Sequence, residues 1–428
     1  MTRLLTLFLL IALFAVVACS AGRSPNADST TTATEPQVAP AGAAPPPGYE
    51  SGTWAEIVDE ARGQTVTFHM WGGQENINRW VTGYAATALK EQYGIELVQV
   101  PVADIAESVN KLVGEAEAGR AEGTVDLLWI NGENFATLRQ ADLLYGPFAQ
   151  YLPNSQYVDR DDPSVSYDLG LPTDDYESPW GKAHYVMIYD SARVAEPPRS
   201  IDGLVAWVKA HPGQFTYPAP PDFTGVGFVL QLCYHATGGH EQFLGDFDQA
   251  LFDATLPACW ALLNEIEPFL WREGATYPES HAAQQNLFAN GEVSFDMAWN
   301  PSEASAFIEA GRFPESTRTF VFDQGTLSNA HFLAIPANAP HKAAAMVVAN
   351  FMLSPEAQQS KADIANWGDL PAVSVSQLPQ AWQDAFAELP RGVATLPNEE
   401  LTRKIVPELP APWRVAIEEG WQREVLQK

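Results

Sequence analysis

The chain has 428 residues, 46% of them hydrophobic and 11% aromatic, and a formal net charge of −29 from 53 acidic and 24 basic residues. That balance excludes nucleic acid as a partner, since phosphates demand a basic surface, and it excludes docking on anionic lipid head groups. The carboxylates are spread along the whole chain, which reads as a solvated acidic surface suited to high salt more than as steering of a cationic ligand.

The first element is an export signal. Arg3 precedes an apolar run over 4–18 that ends in Val16, Val17, Ala18 and Cys19. The spacing predicts a signal peptide over 1–18 with a lipobox, so that Cys19 carries lipid. The run is too short to span a bilayer. A plain cleaved signal, with Cys19 a bystander, is the alternative. Residues 19–50 are rich in Ser, Thr, Ala, Pro and Gly and predict a flexible linker. The expected location is periplasmic or cell-surface, lipid-anchored to a bacterial membrane. From residue 51 the chain is long enough for two lobes.

Residues 64–71 alternate like a strand and stop at Gly72 and Gly73. A helix is predicted over 76–92, a strand over 94–100 closed by Pro101, and a helix over 104–118. A third strand over 125–130 ends in Asn131, Gly132, Glu133 and Asn134, and a helix over 135–144 follows. This β-α-β-α-β-α rhythm marks an α/β lobe with a parallel sheet, in which ligands sit at the carboxyl ends of the strands. Residues 145–180 read as an irregular, solvated acidic loop. Their aspartates, Asp168 among them, lack calcium-loop spacing.

Further on, strands are expected over 184–189 and 215–217, with a helix over 200–210 between them. Thr224, Gly225, Val226 and Gly227 open an apolar helix to about residue 236. Such a start can offer free N–H groups to an anion. A helix over 280–290 and a strand over 291–298 deliver Trp299 and Asn300 into a loop, and a helix over 302–311 follows. Strands over 319–322 and 331–335 flank a turn at 325–329. Helices are predicted over 342–353 and from Ser354, with Pro355 in the first turn. The tail from 378 is helical in pieces.

Cys233 and Cys259 are the two cysteines besides Cys19. In an oxidising compartment they either bridge or stay as buried thiols. Cys233, His235 and His240 are too loosely spaced for a metal site and read as a helix end. No metal set, cofactor motif or catalytic residue is read.

Several of these segments together resemble a known family. Leu333 to Pro336, then His341 to Ala344, then Ser354, Pro355, Glu356, Ala357 and Gln358 look like the extracytoplasmic solute-binding proteins of ABC importers. Residues 125–135 and 144–148 resemble more closely the YnjB-type branch, near the iron, thiamine and polyamine receptors. The resemblance implies an α/β, two-lobe type II periplasmic binding protein with hinge crossover strands and a central ligand cleft. It implies a first part of lobe 1 over 51–182, crossover and lobe 2 over 183–319, and return crossover and the rest of lobe 1 over 320–355. A C-terminal helical segment over 356–428 completes the chain. It also implies a monomer that binds a small-molecule ligand and hands it to ABC permease subunits with a cytoplasmic ATPase.

The expected ligand-binding residues lie at loop ends. Trp71, Gly72 and Gly73 form one wall, and Asn131, Glu133 and Asn134 supply hydrogen bonds or negative charge. Trp180 and Tyr185 approach the first crossover. Thr224, Gly225, Trp299 and Asn300 face them from lobe 2, with Asn329 and Trp367 as weaker candidates. Tryptophan beside a carboxylate suits a flat or cationic organic ligand. Two other functions fit the export signal: a secreted hydrolase with an aromatic cleft, or a binding lipoprotein serving a sensor. Against the first, there is no Gly-x-Ser-x-Gly elbow, His-Glu-x-x-His or Walker loop.

Overall fold

Trp54, Ile57 and Ala61 recur at helical spacing and are buried on one face of α1 (Trp54–Ala61), which Thr53 and Glu56 open as a reciprocal capping box. The computed structural model describes residues 37–428; the predicted signal peptide, Cys19 and most of the linker lie outside the described residues. β1 (Thr65–Trp71) buries Val66, Phe68 and Met70. The helix expected over 76–92 is realised as α2 (Glu75–Arg79), a π-helical turn (Trp80–Ala85) and α3 (Ala86–Tyr93). β2 (Glu96–Val102) runs on through Pro101 instead of stopping there. It is an edge strand, where a missing N–H is tolerated. α4 (Ala106–Glu117), β3 (Leu127–Ile130) and α5 (Glu133–Gln140) complete the expected rhythm, and Leu144–Tyr145 forms a short β4.

The stretch 145–180 is more ordered than expected. It holds α6 (Pro163–Ser166), a small hairpin of β5 (Tyr167–Asp168) and β6 (Leu171–Pro172), and the start of β7 (Glu177–His184). Asp168 is buried and not a solvated acid, because its carboxylate accepts the Gly132 N–H at 2.5 Å. β8 (Val186–Asp190), α7 (Ile201–Ala210) and α8 (Phe223–Thr237) follow. The strand expected over 215–217 does not form: the segment belongs to no sheet, and the Phe215 carbonyl accepts the Trp271 N–H at 2.8 Å.

α9 (Gln249–Thr255) and α10 (Pro257–Ile266) come next, and Cys233 of α8 is bonded to Cys259 of α10 with Cα atoms 4.6 Å apart. Then come α11 (His281–Ala289), β9 (Phe295–Ala298), α12 (Glu303–Glu309) and β10 (Thr317–Phe320). β11 (Thr326–Pro336) is longer than expected, since 326–329 are strand and only Gly325, at φ 120°, turns. α13 (Lys342–Met352), α14 (Pro355–Ala362), α15 (Gln380–Ala387), α16 (Asn398–Leu401), β12 (Ile405–Pro407) and α17 (Ala411–Trp421) finish the chain.

The large sheet has the order β12-β11-β3-β1-β2, with β7 and β4 also paired to β11. It is mixed, not parallel as expected. β1 pairs with β2 and β3 in parallel, but β11 returns antiparallel to β3 and β7. The second sheet, β10-β8-β9, is antiparallel throughout. Each sheet has a core, and the one beside the small sheet also takes in Leu327 of β11 and Val406 of β12. Phe68, Trp180, Leu333 and Met346 pack on one face of the large sheet, and Leu128 and Phe135 on the other. Phe228, Cys233, Cys259, Trp413 and Trp421 pack beside the small sheet, and Val186, Phe288 and Leu401 on its other face.

The chain passes between these lobes three times. It crosses at Tyr185 between β7 and β8, and returns between β10 and β11. It crosses again after α15, since Trp382 and Phe386 pack on the large-sheet core while Ala394 and Leu401 pack on the small-sheet core. Thr319 secures that last passage by donating its hydroxyl to the Ala394 carbonyl.

Candidate functional site

The carboxyl ends of β1 and β3 bring one set of loops to the boundary between lobes. The Gly72 N–H donates to Val102 at 3.0 Å, and its carbonyl accepts from Asn78 at 2.9 Å. The Trp71 indole lies so close over Gly73 that a Cβ there would come within 2.1 Å of the ring. Gln74 then opens α2. At the end of β3, Asn131 donates its side-chain amide to the Ala330 carbonyl at 2.7 Å, and Gly132 turns at φ 62°. Glu133 and Asn134, both partly buried, begin α5.

The small sheet supplies the opposite set. β9 is followed directly by Trp299, whose indole N–H donates to the Phe223 carbonyl at 3.3 Å and whose ring meets Tyr185 and Phe223, each with centroids 5.1 Å apart. Tyr185 donates its hydroxyl to the Thr224 carbonyl at 2.9 Å. Gly227 needs its missing side chain there, because a Cβ would strike the Tyr185 ring at 2.7 Å. Side-chain hydrogen bonds join the lobes across this boundary. Gln74 donates to Glu303, and Asn300 donates to the Trp367 carbonyl at 3.2 Å.

The start of α8 does not offer an anion its N–H groups. Asp222 accepts from the N–H groups of Thr224 at 2.9 Å and Gly225 at 3.0 Å, so the helix is already capped. The remaining candidates lie deeper. Trp180 is fully buried among Phe68, Trp129 and Trp367. Trp180 and Trp367 flank the buried Lys361 ammonium, which pairs with Asp369 at 2.8 Å, and His331 stacks on Trp367. Asn329 is buried and donates to Glu408 at 2.6 Å.

Acidic groups dominate the surroundings. Arg414 is buried, bonds to Glu408 and Glu418 at 3.0 Å each, and lies 4.3 Å over the Phe223 ring. Burial opposes its charge, but Glu408, Glu133 and Glu418 hold its guanidinium above the usual range. Burial raises Glu408 and Glu418, with Arg414 opposing. On the small-sheet side Glu303 accepts from Gln285 at 2.9 Å and lies 3.4 Å from His281. Asp296 of β9 completes a group in which the donor atoms of His281, Asp296 and Glu303 all lie within 4.8 Å of one another.

Gln74, Asp222, Phe223, His281, Asp296, Glu303, Glu408 and Arg414 escaped the sequence reading. One signal was present for Asp296, an acid inside the apolar run of Phe295, Met297 and Ala298. His235 pairs with Asp202 at 3.0 Å while Cys233 is in the disulfide, so the loose Cys-His run is divided among separate partners. A cavity of about 350 Å³ between His235, Gly238, Phe322 and Lys404 lies at the far end of α8 from Thr224.

Two lobes with chain crossings between them, and polar and aromatic loop ends at their boundary, define a receptor architecture. The chain belongs to the bacterial extracellular solute-binding proteins, whose family profile matches residues 84–390. It is 41% identical over 372 residues to Protein YnjB of Escherichia coli (strain K12), covering 86% of this chain and 92% of that one. Among solved structures it resembles a putative spermidine/putrescine ABC transporter from Listeria monocytogenes, with a TM-score of 0.60 and 16% identity over 85% of this chain and 99% of that one. It also resembles a periplasmic thiamin binding protein, with a TM-score of 0.54 and 18% identity over 84% and 96% of the two chains. These structures share the type II periplasmic binding fold. No helix among the described residues is long and apolar enough to cross a membrane.

Proposed function

We propose that this chain is the substrate-binding lipoprotein of an ABC importer and captures a small polar organic solute with a positive group, thiamine- or polyamine-like in charge. The solute is held between the lobes and delivered to permease subunits driven by a cytoplasmic ATPase. The observation that carries this reading is the surplus of carboxylates beside aromatic faces at the lobe boundary. Glu133, Glu408 and Glu418 surround the single guanidinium of Arg414, next to Phe223 and Trp299. Such a surface favours a cation through charge and through the ring faces. The solved relatives described above as polyamine and thiamin proteins support the same chemical class. No catalytic step is assigned. Cys19 is the proposed lipid site, and its replacement by Ala should abolish labelling with a fatty-acid analogue.

The test is a thermal-shift screen against polyamines, thiamine and its phosphates, choline-like amines, amino acids, sugars and sulfate. A ligand at a hundred times its dissociation constant stabilises the fold by about 2.7 kcal/mol. A cationic hit whose affinity falls at least about tenfold in the Trp71→Ala, Glu133→Gln double variant supports the reading. A hit confined to anions or neutral sugars, or affinity unchanged in that variant, refutes the charge assignment or the site.

A further inference from the structure

We propose that His281, Asp296 and Glu303 form a binding site for one divalent cation of the zinc class, built into the small-sheet lobe. Their donor atoms lie within 4.8 Å of one another. Zinc bonds nitrogen and carboxylate oxygen at about 2.0–2.2 Å in a tetrahedron, so two donors on one ion stand about 3.4 Å apart. His281 Nε2 and Glu303 Oε1, 3.4 Å apart, already stand at that spacing, and side-chain rotation of Asp296 would bring its carboxylate in to share the ion.

Asp296 points independently to a ligand. It is fully buried, and neither carboxylate oxygen has a hydrogen-bond partner. A buried carboxylate left without partners is costly, and a bound cation removes that cost. His281 is also prepared. The Gln285 amide nitrogen lies 3.2 Å from its Nε2 and donates to Glu303 Oε1 at 2.9 Å. With that amide donating, Nε2 carries a lone pair, as a metal ligand requires. No lysine or arginine among the described residues pairs with any of the three. Asp222, which accepts the His281 backbone N–H at 2.8 Å, adds a further negative charge nearby.

The supports are regular elements. His281 begins α11, Asp296 lies within β9 and Glu303 begins α12. One imidazole with two carboxylates suits zinc and its neighbours, whereas calcium and magnesium demand six or more oxygens. The proposal does not depend on the organic solute proposed above.

The test strips the purified full chain with a chelator and titrates it with Zn²⁺ by calorimetry, with metal content read by mass spectrometry. One equivalent should bind, with affinity reduced at least about tenfold in both Asp296→Asn and His281→Gln. Co²⁺ should give visible d–d absorption that His281→Gln alters, and this readout stands if Asp296→Asn fails to fold by circular dichroism. Absence of Zn²⁺ binding overturns the proposal, as does binding unchanged in both variants. It also falls if the variants lose affinity for spermidine or thiamine while Zn²⁺ never binds, since the cluster would then serve the organic solute.

Discussion

His184 ends β7 at the first passage between lobes, and its backbone N–H donates to the Trp299 carbonyl at 2.9 Å. Burial, aided by Lys182, lowers its imidazole to about 4, with Asp162 opposing. The unfolded chain takes the proton near pH 6.5 and the folded chain does not. Stability from this group is therefore complete above pH 6.5 and falls by about 3 kcal/mol as pH drops toward 4. In urea titrations at pH 7.5 and 4.5, His184→Gln should lose about that much less than the parent; an equal loss in both would refute a neutral buried histidine. Lys361→Met should cost about 3 kcal/mol at pH 7, because it leaves the buried Asp369 carboxylate without its ammonium partner. At this scale the sequence was uneven. Trp71 and Trp299 could be located because one ends β1 and the other directly follows β9, but Trp180 could not be told from a wall residue until its packing was known. Glu408 and Arg414 were invisible, since their significance arises only when α17 meets Phe223 and Glu133 in space.

Among the elements, α8 bears the largest burden. It is buried over most of its length, capped by Asp222 at one end and stopped by Gly238 at φ 87° at the other. Asp222→Ala removes the acceptor for two α8 N–H groups and for the His281 N–H. A loss of about 1–2 kcal/mol in chemical denaturation is expected; no change would mean that water replaces the cap. The disulfide ties α8 to α10 across a sequence separation of 26 residues. Replacing both cysteines with Ser should cost about 3 kcal/mol, read as a lower melting temperature. Helices and edge strands with clear periodicity were legible, as α7, α11 and α13 show. β7 was not, because Pro179 and Gly181 break its pattern, and only pairing with β11 makes it a strand.

For the whole molecule, the two-lobe α/β architecture was legible from the alternation of elements and from the segments at 333–358. The mixed order of the large sheet was not, because the direction of β11 depends on where the chain re-enters. Gln74 and Asn300 make cross-lobe hydrogen bonds. Each contributes about 1 kcal/mol, so the Gln74→Ala, Asn300→Ala double variant should weaken ligand binding about thirtyfold. It should also enlarge the ligand-free radius of gyration in X-ray scattering. An unchanged radius would mean that the two contacts do not hold the lobes together.

The third passage between lobes sets a mechanical limit. From the end of α15 at Ala387 to Ala394, whose N–H is held by Ser305 at 3.0 Å, the chain has seven residues. Fully extended, such a stretch reaches about 25 Å. However far the lobes swing, those two points cannot separate further while both anchors hold. Under the proposed capture between the lobes, the segment limits opening to that span, so the empty receptor would search fewer arrangements and lose less freedom on capture. A single proteolytic cut in this stretch would leave both lobes folded and joined, yet able to gape wider.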